Sequence, residues 1–326
     1  MKRVLEGVFG SILYASVRGR ILLALCLGYF ALALPAALTF GRAFGASTLH
    51  RADPSILGPE LEYTIFFDLR DKLQTAEPAL LASILGAFLL GLFSTGGWLE
   101  ILVHRHERNA RAGLKAFCSG GGARFVRFLR LAILSLAAIG AARWIFYGLP
   151  FESLQKFLTD SDSTELREFA TEGSANLFVN IQTAGFALSV AFIILVSDLG
   201  RASIAVRGGR SAFMAALHGT SLFFRRPLSA LTAGIIPFAL ELILLYGLAW
   251  CVELASAGEA TYLNITVLFL LTQLIVIVRE CLRAGRFGGL VALAETDMDA
   301  RMERRYGNYP DPVVAAAGRA MTDDEG

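Results

Sequence analysis

One carboxylate stands out because it lies inside a long apolar segment. Glu241 interrupts the run from Leu228 to Val252 near its middle. A charged side chain in the hydrocarbon core of a membrane is costly unless it faces other protein groups, finds a partner or takes up a proton. Glu241 is therefore a candidate for a proton or substrate site, although a structural hydrogen bond between helices is the more common role of such a polar side chain.

Polar side chains in other apolar segments are the candidate partners of Glu241. Asn180 and Gln182 lie in one such segment, Gln273 in another, and Arg143 near the end of a third. Amide and guanidinium groups can donate hydrogen bonds to a carboxylate. We predict that Glu241 meets one or more of these residues. Because Arg143 lies nearer the end of its segment, that pairing would require a tilted helix or a long reach.

Other residue patterns give little support for chemistry. His104 and His106 alternate in a basic segment without neighbouring cysteines or paired carboxylates, which makes them a poor set of metal ligands. The glycines 120–122 are not followed by the Lys-Ser/Thr pair of a phosphate-binding loop. The four cysteines are far apart and form no Cys-x-x-Cys pair. The sequence therefore predicts no catalytic, metal-binding or cofactor-binding residues.

The segments that carry these residues are predicted to cross a membrane. Hydrophobic residues make up 55% of the chain and charged residues only 18%, whereas soluble proteins carry about 25% charged residues. A membrane-spanning helix needs about 20 apolar residues and satisfies its own backbone hydrogen bonds. The predicted fold is an all-α, polytopic membrane protein with short amphipathic helices in its loops and six transmembrane helices at about 21–41, 79–101, 129–149, 176–197, 228–252 and 262–282.

The parts outside the spans are predicted to be small. Residues 1–291 form the six-helix domain, and residues 292–326 form a flexible cytoplasmic tail. The segment 61–73 has helical spacing of apolar residues and is predicted to lie along the outer surface. The loops around 113–134 and 212–231 both place aromatic residues beside arginines. They are interpreted as interfacial helices or as parts of a repeated hairpin, although inner loops of membrane proteins are generally basic.

The distribution of charge predicts the orientation. Most lysine and arginine residues near the spans fall in the N-terminal segment and in the loops after the second and fourth spans, while the remaining loops are acidic. The positive-inside rule then places both termini in the cytoplasm, and it explains the basic loops without nucleic acid. An alternative is that the first span is a cleaved signal peptide, but its apolar stretch exceeds the usual length of about 7–15 residues.

Several segments together resemble a known group of proteins. They are LALCLGYFALALPAAL, STGGWLEIL, ARFVRFLRLAILSL, SDLGRASIAVRGGRSAFMAALHGTSLFFRRP and TQLIVIVRECLRAGRFGGLVAL. The chain resembles uncharacterised six-helix bacterial inner-membrane proteins, whose layout is similar to membrane domains attached to some glycerophosphodiester phosphodiesterases. The resemblance implies the topology and a bacterial inner membrane. It implies no phosphodiesterase activity, because that domain is not present in the sequence.

Three kinds of function fit these observations. The first is an accessory or structural component of a membrane complex, or a lipid-interacting protein, with membrane lipids, a protein partner or a second copy as its partners. The second is a transporter or permease subunit with Glu241, Asn180 and Gln182 along its path. The third, an intramembrane enzyme, has the least support because no span carries a recognisable catalytic set.

Overall fold

A computed structural model describes residues 1–45, 59–105, 113–148, 151, 153, 172–209, 211–256 and 262–306. This part of the chain is helical. No strand occurs within these ranges, and the prediction of an all-α polytopic membrane protein is confirmed. Its main helices are α1 Lys2–Ser16, α2 Gly19–Gly45, α3 Pro59–Val103, α4 Leu114–Tyr147, α5 Glu172–Arg207, α6 Ala212–Arg225, α7 Pro227–Ser256 and α8 Tyr262–Tyr306.

Five of these helices are long and apolar enough to span a membrane. The candidate spans are Gly19–Thr39, Glu77–Val103, Leu114–Tyr147, Asn176–Arg207 and Pro227–Cys251. Apolar side chains such as Ile84, Leu188 and Ile243 are exposed along them, as expected of surfaces that face lipid. The sixth predicted span, 262–282, is helical as the first part of α8, but the side chains of 262–265 and 268 lie outside the described part. That span stays a prediction.

The order of elements repeats along the chain. A short helix precedes a first long helix and a second long helix in α1–α2–α3 and again in α6–α7–α8. In the middle of the chain the short helix and the first long helix are fused, because α4 continues without a break from Leu114 to Tyr147. The interpretation of the basic loops as parts of a repeated hairpin stays a prediction.

The connection between α5 and α6 shows how the sequence sets these helix ends. Gly208 has a positive φ of 69° and donates its N–H to the carbonyl of Ile204, which ends α5 in the left-handed conformation that glycine tolerates. The Ser211 hydroxyl accepts a hydrogen bond from the N–H of Met214 and caps α6. Pro227 then begins α7, where a residue without an N–H is tolerated in the first turn.

The chain divides into two compact units. The first unit comprises Met1–Phe9, Arg130–Ile236 and Arg286–Gly326. Here glycines allow backbones to approach closely: a Cβ added to Gly200 would lie 3.1 Å from the carbonyl oxygen of Ala215 on α6. On α1, a Cβ added to Gly7 would lie 2.8 Å from the carbonyl oxygen of Gly288 on α8. Small residues at such positions are typical of packed membrane helices.

The second unit comprises Gly10–Leu129 and Pro237–Gly285. It uses the same kind of contact where α3 meets α4, since a Cβ added to Gly96 would lie 3.0 Å from the Cα of Gly121. Next to this contact the fully buried Trp98 packs edge-on against Phe117, with ring centroids 5.4 Å apart. Close backbones and an interlocked aromatic pair make this part of the unit densely packed.

Three helix boundaries differ from the prediction. The short helix α1 was not predicted, although Val4, Val8 and Ala15 are buried along one of its faces. The predicted surface helix 61–73 is part of α3, which already begins at Pro59. The predicted start of a flexible tail at 292 falls inside α8, which continues to Tyr306 because residues 291–294 are apolar and buried. Residues 307–326 lie outside the described part.

Candidate functional site: buried carboxylates and their arginines

Glu241 has a partner that the sequence analysis did not include. Its Oε1 lies 3.3 Å from Nε of Arg279 on α8. Arg279 follows the apolar part of the predicted sixth span, so it was taken to mark the end of that span and not to face another helix. Glu241 lies about four turns, or roughly 21 Å, along α7 from Pro227. The ion pair gives the partly buried Glu241 a partner, whereas the side chain of Arg279 is 60% exposed.

The other predicted site residues have separate surroundings. Gln273 belongs to the same unit as Glu241 and is partly buried. Asn180, Gln182 and Arg143 belong to the other unit. There the side-chain amide of Gln182 donates a hydrogen bond to the carbonyl of Phe146, whereas Asn180 and Arg143 are exposed. A polar site shared by all five residues therefore stays a prediction.

Glu280 on α8 is the most completely buried acid among the described residues of the second unit. Its Oε1 accepts hydrogen bonds from Nη1 of Arg283 at 2.6 Å and from the hydroxyl of Tyr29 at 3.2 Å. Its Oε2 accepts one from the indole Nε1 of Trp98, also at 3.2 Å. Arg283 Nη1 in turn donates to the hydroxyl of Ser94 at 2.9 Å. We call these five residues the Glu280 cluster.

The Glu280 cluster is closed and balanced. The side chain of Glu280 is 2% exposed and that of Arg283 17% exposed. One carboxylate faces one guanidinium, and the neutral Tyr29, Trp98 and Ser94 provide the remaining hydrogen bonds. Charged groups are tolerated in the interior when they are paired and hydrogen-bonded in this way. The arrangement ties α2 and α3 to α8 and leaves little unsatisfied polarity for a ligand.

Among the described residues of the first unit, two acidic residues are as deeply buried. Asp198 on α5 places Oδ1 2.8 Å from Nη1 of Arg201 and Oδ2 3.2 Å from Nη2 of Arg286 on α8. The side chain of Asp198 is 2% exposed. Each carboxylate oxygen therefore has its own guanidinium, and the second of these contacts links α5 to α8.

Asp297 is the other buried acidic residue of this unit. Its Oδ2 lies 3.2 Å from Nη2 of Arg207 on α5 and 2.8 Å from Nε of Arg301 on α8. Its side chain is 3% exposed, whereas those of Arg207 and Arg301 are 22% and 34% exposed. We call these three residues the Asp297 cluster. Unlike the Glu280 cluster, it holds more positive than negative charge.

A histidine on α6 lies within the electric field of the Asp297 cluster. Burial lowers the pKa of His218 below its ordinary value of 6.5, and the positive charges of Arg207 and Arg301 act in the same direction. The neutral imidazole is therefore the favoured form of His218 at neutral pH. This residue was not singled out from the sequence, because a lone histidine beside apolar residues carries no recognisable pattern.

Glu100, at the end of α3, takes part in a further contact of the second unit. Its carboxylate forms an ion pair with Arg124 on α4, and His104 Nδ1 lies 3.6 Å from Glu100 Oε1. No group of three or more histidine, cysteine or acidic residues that could hold a metal ion occurs among the residues whose placement is described. His106 lies outside them. The four cysteines are free thiols.

Sequence reasoning missed these clusters because their acids lie at the ends of apolar runs. Asp198 only delimited the fourth apolar run, and Glu280 lies next to Arg279, which delimited the sixth. The signal that could have found them is local: both acids are followed by an arginine three positions later, which places the two side chains on the same face of a helix. Asp297 and Arg301 are likewise four positions apart.

Comparisons with known proteins give no relative for this arrangement. The chain matches no protein-family model, no curated protein and no solved structure. The apolar helices support an integral membrane protein, and the function has to be argued from the chain itself.

Proposed function

We propose that this chain is a non-catalytic membrane protein of the bacterial inner membrane that interacts with lipids and serves as a structural or accessory component. Both termini are cytoplasmic in this proposal, as the positive-inside rule predicts. The observation that carries it is the division of α6 into two faces. Ala215, Gly219 and Leu222 are buried, while Phe213, Leu217 and Phe224 are exposed.

The exposed face of α6 has the composition of an interfacial helix. Phe213, Phe224 and Leu217 are 64%, 69% and 49% exposed, and Arg225 beside Phe224 is exposed as well. Aromatic and aliphatic side chains of such helices lie at the boundary of headgroups and acyl chains, while arginines reach the phosphates. The short helix α1 also has exposed apolar side chains, at Phe9 and Leu13.

The buried ion pairs support a structural role. Glu280, Asp198 and Asp297 are each paired with arginine. None of them is therefore a lone carboxylate that needs a proton or a substrate to balance its charge. The close glycine contacts described above also hold helix backbones together. Firmly joined helices with apolar and basic short helices between them suit a protein that organises lipid or supports a partner.

The test measures the surroundings of α6 in a bilayer. In a variant whose four cysteines are replaced by alanine, a spin label is attached at Phe224→Cys or, as a matched control, at Gly209→Cys in the preceding turn. We expect oxygen to broaden the signal at position 224 and a water-soluble nickel chelate to broaden the signal at position 209. Equal access of the nickel chelate to both positions would show that α6 does not lie in the interface and would overturn the proposal.

A transporter or permease subunit is the second candidate, and the Glu241–Arg279 ion pair is the observation that favours it. Opposite charges between apolar helices can separate to admit a proton or an ion. If the pair is structural, Glu241→Gln should lower stability and the double variant Glu241→Gln/Arg279→Gln should recover it, with a coupling of about 1 kcal/mol. If both variants fold normally but abolish a cellular phenotype of the gene, transport is favoured and the structural role is contradicted.

A further inference from the structure

Three phenylalanines are in contact where the end of α6 meets α5. Phe223 and Phe224 on α6 meet edge to face, with ring centroids 5.4 Å apart. The ring centroid of Phe192 on α5 lies 5.1 Å from that of Phe223 and 6.2 Å from that of Phe224. Phe192 is 37% exposed and Phe224 69% exposed, so the group stays partly open to its surroundings. We call these three residues the phenylalanine cluster; all belong to the first unit.

The position of the phenylalanine cluster along α5 places it at the cytoplasmic end of a predicted span. The helices α5 and α6 run antiparallel, since Gly200 approaches Ala215 while Phe192 lies against Phe223. Phe192 falls within the predicted span 176–197, and Gly200 lies beyond its end, about 12 Å further along the helix. The end of α6 that carries the cluster is therefore the end nearest the hydrocarbon core.

Two arginines follow the cluster directly, where the chain enters the next candidate span. Arg225 is the last residue of α6, Arg226 is the single residue between α6 and α7, and the candidate span begins at Pro227. The N–H of Arg226 donates to the carbonyl of Leu222, and its own carbonyl accepts from the N–H of Ala230. Hydrogen-bonded backbone on both sides therefore fixes the two arginines next to the phenylalanine cluster.

The charge of these two arginines distinguishes them from others in the first unit. No ion pair joins Arg225 or Arg226 to an acid within the part of the chain that the structure describes, and Arg225 is exposed. Arg201, Arg207 and Arg286, by contrast, are each paired with a buried aspartate. A guanidinium group carries five N–H donors in a planar arrangement that suits phosphate oxygens. An occupant would therefore meet positive charge beside an open aromatic surface.

We propose that Arg225 and Arg226 bind the phosphate of an anionic phospholipid in the cytoplasmic leaflet, and that its acyl chains lie against Phe192 and Phe224. The proposal rests on the lipid-interacting function proposed above and names the lipid class that this function concerns. Charge complementarity selects the headgroup, because an anionic lipid balances the two positive charges, whereas a zwitterionic lipid brings a positive charge of its own.

The experiment compares lipid binding by variants that lose equal charge at different places. The full chain in mild detergent is titrated with phosphatidylglycerol or phosphatidylcholine, and bound lipid is counted by native mass spectrometry. Arg225→Gln/Arg226→Gln removes both charges of the proposed site. The matched control Arg20→Gln/Arg130→Gln removes two exposed arginines at the starts of the first and third predicted spans. Circular dichroism establishes that each variant is folded, and if Arg225→Gln/Arg226→Gln is not, the single variant Arg225→Gln decides.

We expect the wild-type chain to bind phosphatidylglycerol severalfold more tightly than phosphatidylcholine. Arg225→Gln/Arg226→Gln should lose this preference, because the charge-assisted hydrogen bonds to phosphate are absent, whereas the control should keep it. Phe224→Ala should weaken the binding of both lipids, and Phe213→Ala at the opposite end of α6 should bind as the wild type does. The proposal is overturned by a wild type without preference, by equal loss in the two double variants, or by equal binding in Phe224→Ala and Phe213→Ala.

Two further measurements separate the possible sources of failure. Inorganic phosphate is added as a competitor, and full displacement of the lipid at millimolar concentration would show that the site takes a free anion and not a lipid. The spin label at position 224 reports on the interfacial function separately. If the label lies in lipid while the preference for phosphatidylglycerol is absent, this site is wrong and the interfacial function stands. If the label lies in water, the function fails and the site fails with it.

Discussion

Two buried carboxylates of similar exposure have different surroundings. Glu280 in the second unit faces one arginine and three neutral donors or acceptors, and the Glu280 cluster is almost closed. Asp297 in the first unit faces two arginines that remain partly exposed. The surroundings of a buried acid, and not its burial alone, therefore indicate the role of that acid. A balanced cluster joins helices, whereas a cluster with excess charge at a surface can also attract an oppositely charged ligand.

The largest expected effect tests this contrast directly. Glu280→Gln removes the buried carboxylate that is paired with Arg283 and should lower the free energy of unfolding by about 3–5 kcal/mol. Asp297→Asn should cost less, because Arg207 and Arg301 can turn towards water or bind another anion. Stability is measured by titrating a denaturing detergent into the folded protein and following circular dichroism. The exposed Asp299→Asn is the control, and equal losses for Glu280→Gln and Asp297→Asn would contradict the contrast.

A moderate effect is expected at the glycine contacts that both units share. In the first unit, a Cβ at Gly219 would lie 3.0 Å from the backbone nitrogen of Gly200, so Gly219→Ala must push α6 away from α5. We expect a loss of about 1–3 kcal/mol in the free energy of unfolding. Gly122→Ala on α4 is the matched control, since nothing lies within 4 Å of its added Cβ.

The control substitution should be neutral or stabilising, because alanine favours a helix over glycine by up to about 1 kcal/mol. The same detergent titration applies to both variants. If Gly219→Ala is as stable as Gly122→Ala, the close approach of α5 and α6 does not exist as described.

The smallest effect concerns the protonation of His218. Its pKa is lowered in the folded protein, so the unfolded chain binds a proton first as the pH falls through the ordinary value of 6.5. The folded state therefore loses stability as the pH falls below that value. Above it, the contribution of the neutral His218 to the free energy of unfolding is fully present. His218→Gln should reduce the difference between melting temperatures at pH 7.5 and pH 5.5. An unchanged difference would place His218 outside the field of Arg207 and Arg301.

The sequence predicted the apolar helices better than the polar contacts between them. Continuous apolar runs identify a span because a bilayer imposes a minimum length, and five helices meet this condition. Glu241 was recognised for a related reason, since a charge within an apolar run is conspicuous. Its partner Arg279 was not, because the sequence does not say which positions of α7 and α8 lie side by side. The Glu280 cluster combines residues from three helices, and only the folded chain brings them together.

The position of Trp98 has a consequence for optical measurements on this protein. The chain has three tryptophans, and Trp144 and Trp250 are about 60% exposed on spans, whereas Trp98 is fully buried with its indole N–H bonded to Glu280. Brominated lipids should therefore quench the two exposed indoles and spare the third. The emission that survives such quenching comes from inside the Glu280 cluster, so the protein carries its own fluorescent probe of that carboxylate.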